Sequence, residues 1–284
     1  MNMFPKFPLN AFDNKPEPLM QDDEPRAEPT SADGNKELAD EHITKGRIHQ
    51  AITRYKKAAG MDGDPSHRTD LGDAYAYAEL PVKAVQQYRR AIKSNPNRPE
   101  AHFSLAEMYV RYGKWQAAAA EYSEAARLSP ENAFYQFKYS SACVQIGDAS
   151  NAISALEAAV GLCPRDSFYR FELAALYADQ RRDDDAIRQL EKAIEVSPED
   201  DYYIARLGML YVRTGRLELA EDAFREAIRL SPDKLCYRYL IADAYEATGM
   251  KTRAEMQYAE AAEIDHYDAD FVTRARRYIQ GEKW

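Results

Sequence analysis

Residues that could do chemistry are few and scattered along this chain. Asp183, Asp184 and Asp185 form an acidic run of the sort that can hold a cation. The run lacks the glycine and the closing glutamate of a calcium loop. It opens an expected helix, where carboxylates are favoured by the positive end of the backbone dipole. The five histidines, His42, His49, His67, His102 and His266, show neither HExxH nor a paired-cysteine spacing, so no metal site is expected. No GxxxxGK[ST], GxGxxG or GxSxG occurs, so the chain offers neither a phosphate cradle nor a nucleophile elbow. These readings give no catalytic residue, no metal and no cofactor, and a protein that is not an enzyme.

What the sequence does contain is a repeat. Pro96, Pro130, Pro164, Pro198 and Pro232 recur every 34 residues. Each stops a helix, because proline lacks an N–H and turns the preceding residue away from helical geometry. Acidic, Asn or Ser residues follow, as in Asp166-Ser167 and Asp200-Asp201, and can cap the next helix. Leu207 and Tyr211 lie four apart on one face of a first helix, Gly215 can take the left-handed turn that ends it, and Ala220 and Ala227 fall on a second helix. Gly72, Ala106, Ser140, Ala174, Gly208 and Ala242 share one place in successive first helices. Ala84, Ala118, Ala152, Ala186, Ala220 and Ala254 share one place in the second helices, so the paired helices can approach closely. Bulk comes from the tyrosines of the Tyr211 place and from the set Tyr88, Tyr122, Leu156, Leu190, Phe224 and Tyr258. Cys143 and Cys236 occupy repeat places held elsewhere by Tyr, Phe or Glu, which suggests small apolar fillers rather than a disulfide framework.

The order Leu207-Gly208, Tyr211, Gly215, Ala220, Phe224, Ala227 and Pro232 resembles the tetratricopeptide repeat, a helix-turn-helix unit of the same period. The resemblance implies an all-α fold, an α-solenoid of about seven repeats over 32–268 with a capping helix at 269–284. Register is steady in 65–98, 99–132, 133–166, 167–200, 201–234 and 235–268, while the first repeat, 32–64, is imperfect. The place usually held by Trp carries Arg68, His102, Gln136, Arg170, Ile204 and Arg238, and the residue before it is Tyr135, Tyr169, Tyr203 or Tyr237 in four repeats. Tyrosine takes over that core stripe. In the end segment Phe271, Ala275 and Tyr278 or Ile279 can cover the last repeat, with Arg274, Arg276 and Arg277 mostly facing water.

In this family the first helices line a concave surface. By resemblance the groove-facing places are Phe103 and Val110; Phe134, Phe137 and Val144; Phe168, Phe171 and Ala178; Tyr202, Met209 and Val212; and Tyr239. Arg111, Lys138, Arg206 and Arg213 are the nearby cations, with Glu107, Glu172 and Asp243 as acidic neighbours. Such an apolar surface marks a protein partner, with aromatics and arginine as its anchors. Two readings stand together: Phe134 and Phe168 pack between neighbouring repeats, or they face a ligand. The Lys and Asn places of the carboxylate-clamp branch carry Phe103, Phe137, Phe171, Ala205 and Tyr239, and Glu107, Ser141, Ala175, Met209 and Asp243, which disfavours capture of chaperone tails.

Residues 1–31 form an acidic, proline-rich stretch with no helical period and are expected to be disordered. The apolar cluster Met3, Phe4, Phe7, Leu9 and Phe12 within it is a candidate for docking in the groove. With 38 basic against 47 acidic residues the formal net charge is -9, which disfavours a nucleic-acid or anionic-membrane binder. No apolar run approaches the ~18 residues of a membrane helix and no secretory leader is evident, and a cytoplasmic location is expected. The sequence therefore predicts an adaptor that binds an apolar peptide or helix, with a self-associating structural scaffold as the alternative.

Overall fold

The computed structural model describes residues 28–247, 249–262 and 269–283. The expected N-terminal tail with its apolar cluster lies outside the described residues, except for Glu28 to Ser31. Among the described residues every regular element is an α-helix. They come in pairs joined by short turns: α1 (Ala32–Thr44) with α2 (Ile48–Met61), α3 (Pro65–Tyr77) with α4 (Pro81–Ser94), α5 (Pro99–Arg111) with α6 (Trp115–Leu128), and α7 (Ala133–Gln145) with α8 (Ala149–Leu162). The series goes on with α9 (Ser167–Asp179) and α10 (Asp183–Val196), α11 (Asp201–Arg213) and α12 (Leu217–Leu230), then α13 (Cys236–Ala247) and α14 (Lys251–Ala262). A last helix, α15 (Ala269–Ile279), has no partner of its own.

Local chemistry explains the punctuation. Asp64, Asn132, Asp166 and Asp200 each accept a backbone N–H from the first turn of α3, α7, α9 and α11, at 2.7 to 3.2 Å. That satisfies donors which the helix itself cannot. Between the helices of a pair the chain passes through the left-handed region: Gly46, Gly113, Gly147, Gly215 and Gly249 supply it without strain, whereas Glu79 (φ 56°) and Arg181 (φ 60°) adopt it with a side chain.

Contacts divide the chain into two compact units, Met1–Pro130 and Glu131–Trp284. Each is a stretch of α-solenoid. Within the first, α3 packs on α2 and α5 on α4; within the second, α9 packs on α8, α11 on α10 and α13 on α12. The small places do what their size suggests. A Cβ added at Gly72 would lie 2.4 Å from the Tyr88 ring, and one at Gly208 would lie 2.8 Å from the Phe224 ring, so each glycine admits an aromatic of its own second helix. Ala84, Ala118, Ala152, Ala186 and Ala220 are fully buried opposite. Tyr135, Tyr169 and Tyr237 are buried as the substitute stripe requires, and Tyr203 stacks on Phe171 at 4.8 Å.

Two hydrogen-bond rows accompany this packing. Tyr55, Tyr88, Tyr122 and Tyr258 on second helices donate to Asp40, Asp73, Glu107 and Asp243, each fifteen residues earlier on the paired first helix. Tyr177 and Tyr211 donate instead to the preceding repeat, to Glu157 and to Glu191, the latter at 2.9 Å. Burial raises the phenol pKa of all six, and that of Tyr177 and Tyr211 rises to about 12, so they stay protonated donors. Cys143 and Cys236 are buried, and burial pushes the Cys143 thiol up, in keeping with an inert filler.

Candidate functional site: the first-helix face of the second unit

The aromatic places of α7, α9 and α11 converge because each first helix presents its residues at the same angle, one repeat further along. Phe137 meets Phe168 edge-on at 5.1 Å and Tyr169 at 5.7 Å. Phe171 meets Tyr202 at 5.5 Å. Between the three helices is a cavity of about 430 Å³, walled by Phe137, Val144, Phe171, Tyr202 and Arg206 among others. Val144 in the cavity wall is 40% exposed, and Phe168, packed on Phe137, is 42% exposed, so apolar surface reaches solvent here. Phe134 is half-buried beside Phe137, with the Lys138 ammonium over its ring at 5.7 Å.

Two carboxylates also face this cavity, Glu172, expected as an acidic neighbour, and Asp179, which the repeat spacing did not single out. Burial raises the pKa of each. For Asp179 the charges of Lys283, Arg206 and Arg213 oppose the rise, and for Glu172 Arg206 alone does so. Ser141 and Ala175, which also line the cavity, are small and uncharged at the places where the first unit carries Asp73 and Glu107.

Other expected groove residues lie elsewhere. Phe103 in the first unit is only 5% exposed and packs on Tyr122 of its own second helix at 5.6 Å, so it belongs to the pair interior. Val110, on the same helix, is half-buried. Tyr239 packs on Tyr258 in the same way, at 6.0 Å. Met209 is fully enclosed, Ala178 is buried, and Val212 is half-buried. Nor are Arg206 and Arg213 open anchors. Arg206 is 2% exposed between the rings of Phe171 and Tyr278, and Arg213 is held by Asp183 and the Ala178 carbonyl. The reason is α15, which lies over α11 and α13 and takes the face that these residues were expected to offer.

The acidic run is likewise accounted for. Asp183, Asp184 and Asp185 sit in the first turn of α10 and pair with Arg213, Arg216, Arg182 and Arg188. Among the described residues no group of His, Cys, Asp or Glu could hold a metal ion. None of the described helices is long and apolar enough to cross a membrane.

Comparisons with known proteins follow the same lines. No curated protein matches the chain. Among solved structures, the chain is similar to YrrB, described as a TPR protein with an unusual peptide-binding site, at 20% identity and a TM-score of 0.58, over 68% of this chain and 97% of that one. MamA is similar at 24% identity and 0.55, over 60% and 93%, and a tetratricopeptide repeat protein of Parabacteroides merdae at 16% and 0.56, over 89% and 100%. At these identities the likeness shows the fold, an all-α helical-repeat solenoid. The model of the cilia and flagella-associated protein 70 C-terminal domain matches residues 17–276. The chain therefore belongs to that family of tetratricopeptide-repeat proteins.

Proposed function

We propose that this protein is a non-enzymatic adaptor that holds an apolar segment or amphipathic helix of a partner protein in the cavity between α7, α9 and α11. The observation that carries the reading is an aromatic-lined cavity with Val144 open in its wall and the exposed Phe168 ring packed against its wall residue Phe137. Repeat packing alone does not call for exposed rings beside an unfilled volume, and a concave apolar site with a few polar groups is the usual form of a binding pocket. The peptide-binding site named for YrrB is a precedent on the same fold.

Replacing Phe137 and Phe171 together with Ala tests this. The double variant should keep its helical circular dichroism and lose at least tenfold of the affinity for partners recovered with the unmutated chain. Equal recovery of the same partners would remove the cavity from consideration. Light scattering over a concentration series addresses the alternative, since a self-associating scaffold would grow in mass with concentration while an adaptor would not.

A further inference from the structure

The position of α15 departs from the stacking rule of its unit. Each first helix from α9 onward packs on the second helix of the repeat before it. A helix that follows α14 would by that rule lie on α14, but α15 lies across α11 and α13, two first helices. It does so with one stripe. Phe271, Val272, Ala275 and Tyr278 are buried, whereas Thr273, Arg274 and Arg277 are exposed on the other side.

The docked stripe meets specific partners. Tyr278 is 1% exposed, with the guanidinium centres of Arg206 and Arg213 at 4.4 and 4.6 Å from its ring centre. The Phe271 ring meets Tyr237 at 6.1 Å and Tyr202 at 6.4 Å. Arg276 donates to both oxygens of Asp243, at 2.6 and 2.8 Å. One jaw of the tyrosine clamp does not depend on α15 for its place, because Asp183 and the Ala178 carbonyl hold Arg213 from α10 and α9. A receptor fixed in advance binds without an ordering penalty of its own. By contrast α15 has only 11 residues, fewer than an isolated helix needs to persist in water, so its helicity depends on docking.

We propose that the face of α11 and α13 beneath α15 is a receptor for an amphipathic helix of another protein, and that α15 is its resident occupant in cis. The partner helix would carry the chemistry of α15: an aromatic ring, a small residue four positions on, a cation directly after it, and a tyrosine two positions beyond the cation. This goes beyond the α7–α9–α11 cavity. The two sites share Tyr202 and Arg206, but either can exist without the other.

The test uses the full chain and a fluorescein-labelled peptide of the sequence of residues 269–283. Tyr278→Ala in the chain weakens the resident helix and leaves the clamp intact, so this variant should bind the peptide at least tenfold more tightly than the unmutated chain. The same peptide with Ala in place of its tyrosine should bind neither. Arg276→Ala in the chain, which removes the contact to Asp243, should give a smaller gain of the same sign, and it preserves the test should the first variant fold poorly. Equal binding by the unmutated chain and both variants, or undiminished binding of the alanine peptide, would overturn the proposal. A concentration-dependent dimer of the unmutated chain would assign the face to a second copy and overturn it as well. Unchanged peptide binding by the Phe137/Phe171 double alanine variant would support a receptor independent of the cavity, whereas loss of that binding would show that the peptide reports the cavity and sink the separate receptor.

Discussion

In the first unit Tyr55, Tyr88 and Tyr122 reach back fifteen residues to Asp40, Asp73 and Glu107. In the second unit the same place on α8, α10 and α12 holds Leu156, Leu190 and Phe224, and fifteen residues before them stand Ser141, Ala175 and Met209. Hydroxyl and carboxylate are present together or absent together. A buried phenol needs an acceptor, and a carboxylate lowered into an apolar groove needs a donor, so each half alone is costly. Where the pair is dropped, the first-helix face loses its row of acids, and that is where the cavity opens. Asp243 and Tyr258 restore the pair in the last repeat, and there the carboxylate also takes Arg276 of α15.

The largest expected effect comes from the glycine that each unit keeps beneath its aromatic. Gly208→Val would drive a side chain into Phe224 and should cost about 3 kcal/mol. In a repeat array such damage is felt by neighbours first, so amide exchange should quicken in α9 to α13 and leave α1 to α4 protected. Equal loss of protection in α1 to α4 would break the division into two units. Next, Asp73→Ala removes the acceptor of Tyr88 and should cost about 2 kcal/mol in denaturant unfolding. Adding Tyr88→Phe should recover part of that loss, since a hydroxyl that is absent needs no acceptor. A double variant no more stable than the single one would mean that Asp73 serves another purpose.

A smaller difference concerns pH. His102 Nδ1 lies 2.7 Å from Glu121 and Nε2 lies 3.0 Å from the Pro96 carbonyl, and the bond to Glu121 chiefly raises its pKa above the ordinary histidine value. A raised histidine pKa stabilises the fold at pH below the unfolded value, and the gain is lost as pH climbs through the folded value. The first unit should therefore soften as pH rises above about 6.5, the ordinary histidine pKa. The corresponding places in the second unit hold Gln136, Arg170, Ile204 and Arg238 in place of a histidine. Thermal midpoints of His102→Gln between pH 6 and 8 should lose this slope. Smallest of all, Glu79→Gly in the first unit relieves a left-handed residue and should gain about 0.5 kcal/mol, the strain relieved being partly offset by the freedom of glycine when unfolded. A lower midpoint for this variant would mean that the Glu79 side chain contributes more than its backbone costs.

Helices and their ends were legible in the sequence because they depend on local chemistry: prolines at a fixed interval, Asp166 and Asp200 as caps, glycine or alanine where two helices touch. The cavity walls Phe137, Val144, Phe171 and Tyr202 were legible for the same reason, since a period assigns each residue its place in the repeat. A period does not say what stands opposite. Phe103 and Tyr239 occupy the same place as Phe137 and Phe171, yet Tyr122 and Tyr258 face the former two and draw them into their own pairs. The amphipathic end helix could be read as a cover, but its seat on α11 and α13 is a contact between distant segments that no local pattern announces. For that reason Met209, Arg206 and Arg213 were assigned to an open surface and are found enclosed. The tyrosine–carboxylate rule was in the sequence all along, visible only when positions fifteen apart are compared across repeats.

Because both members of that pair belong to one 34-residue module, duplication or exchange of whole modules carries the two together. Point substitution must instead pass through a form with one member missing. Gene rearrangement at repeat borders is thus the easier route by which a lineage could lengthen or shorten the stretch that lacks the pair, and with it the length of first-helix face left without that row of carboxylates.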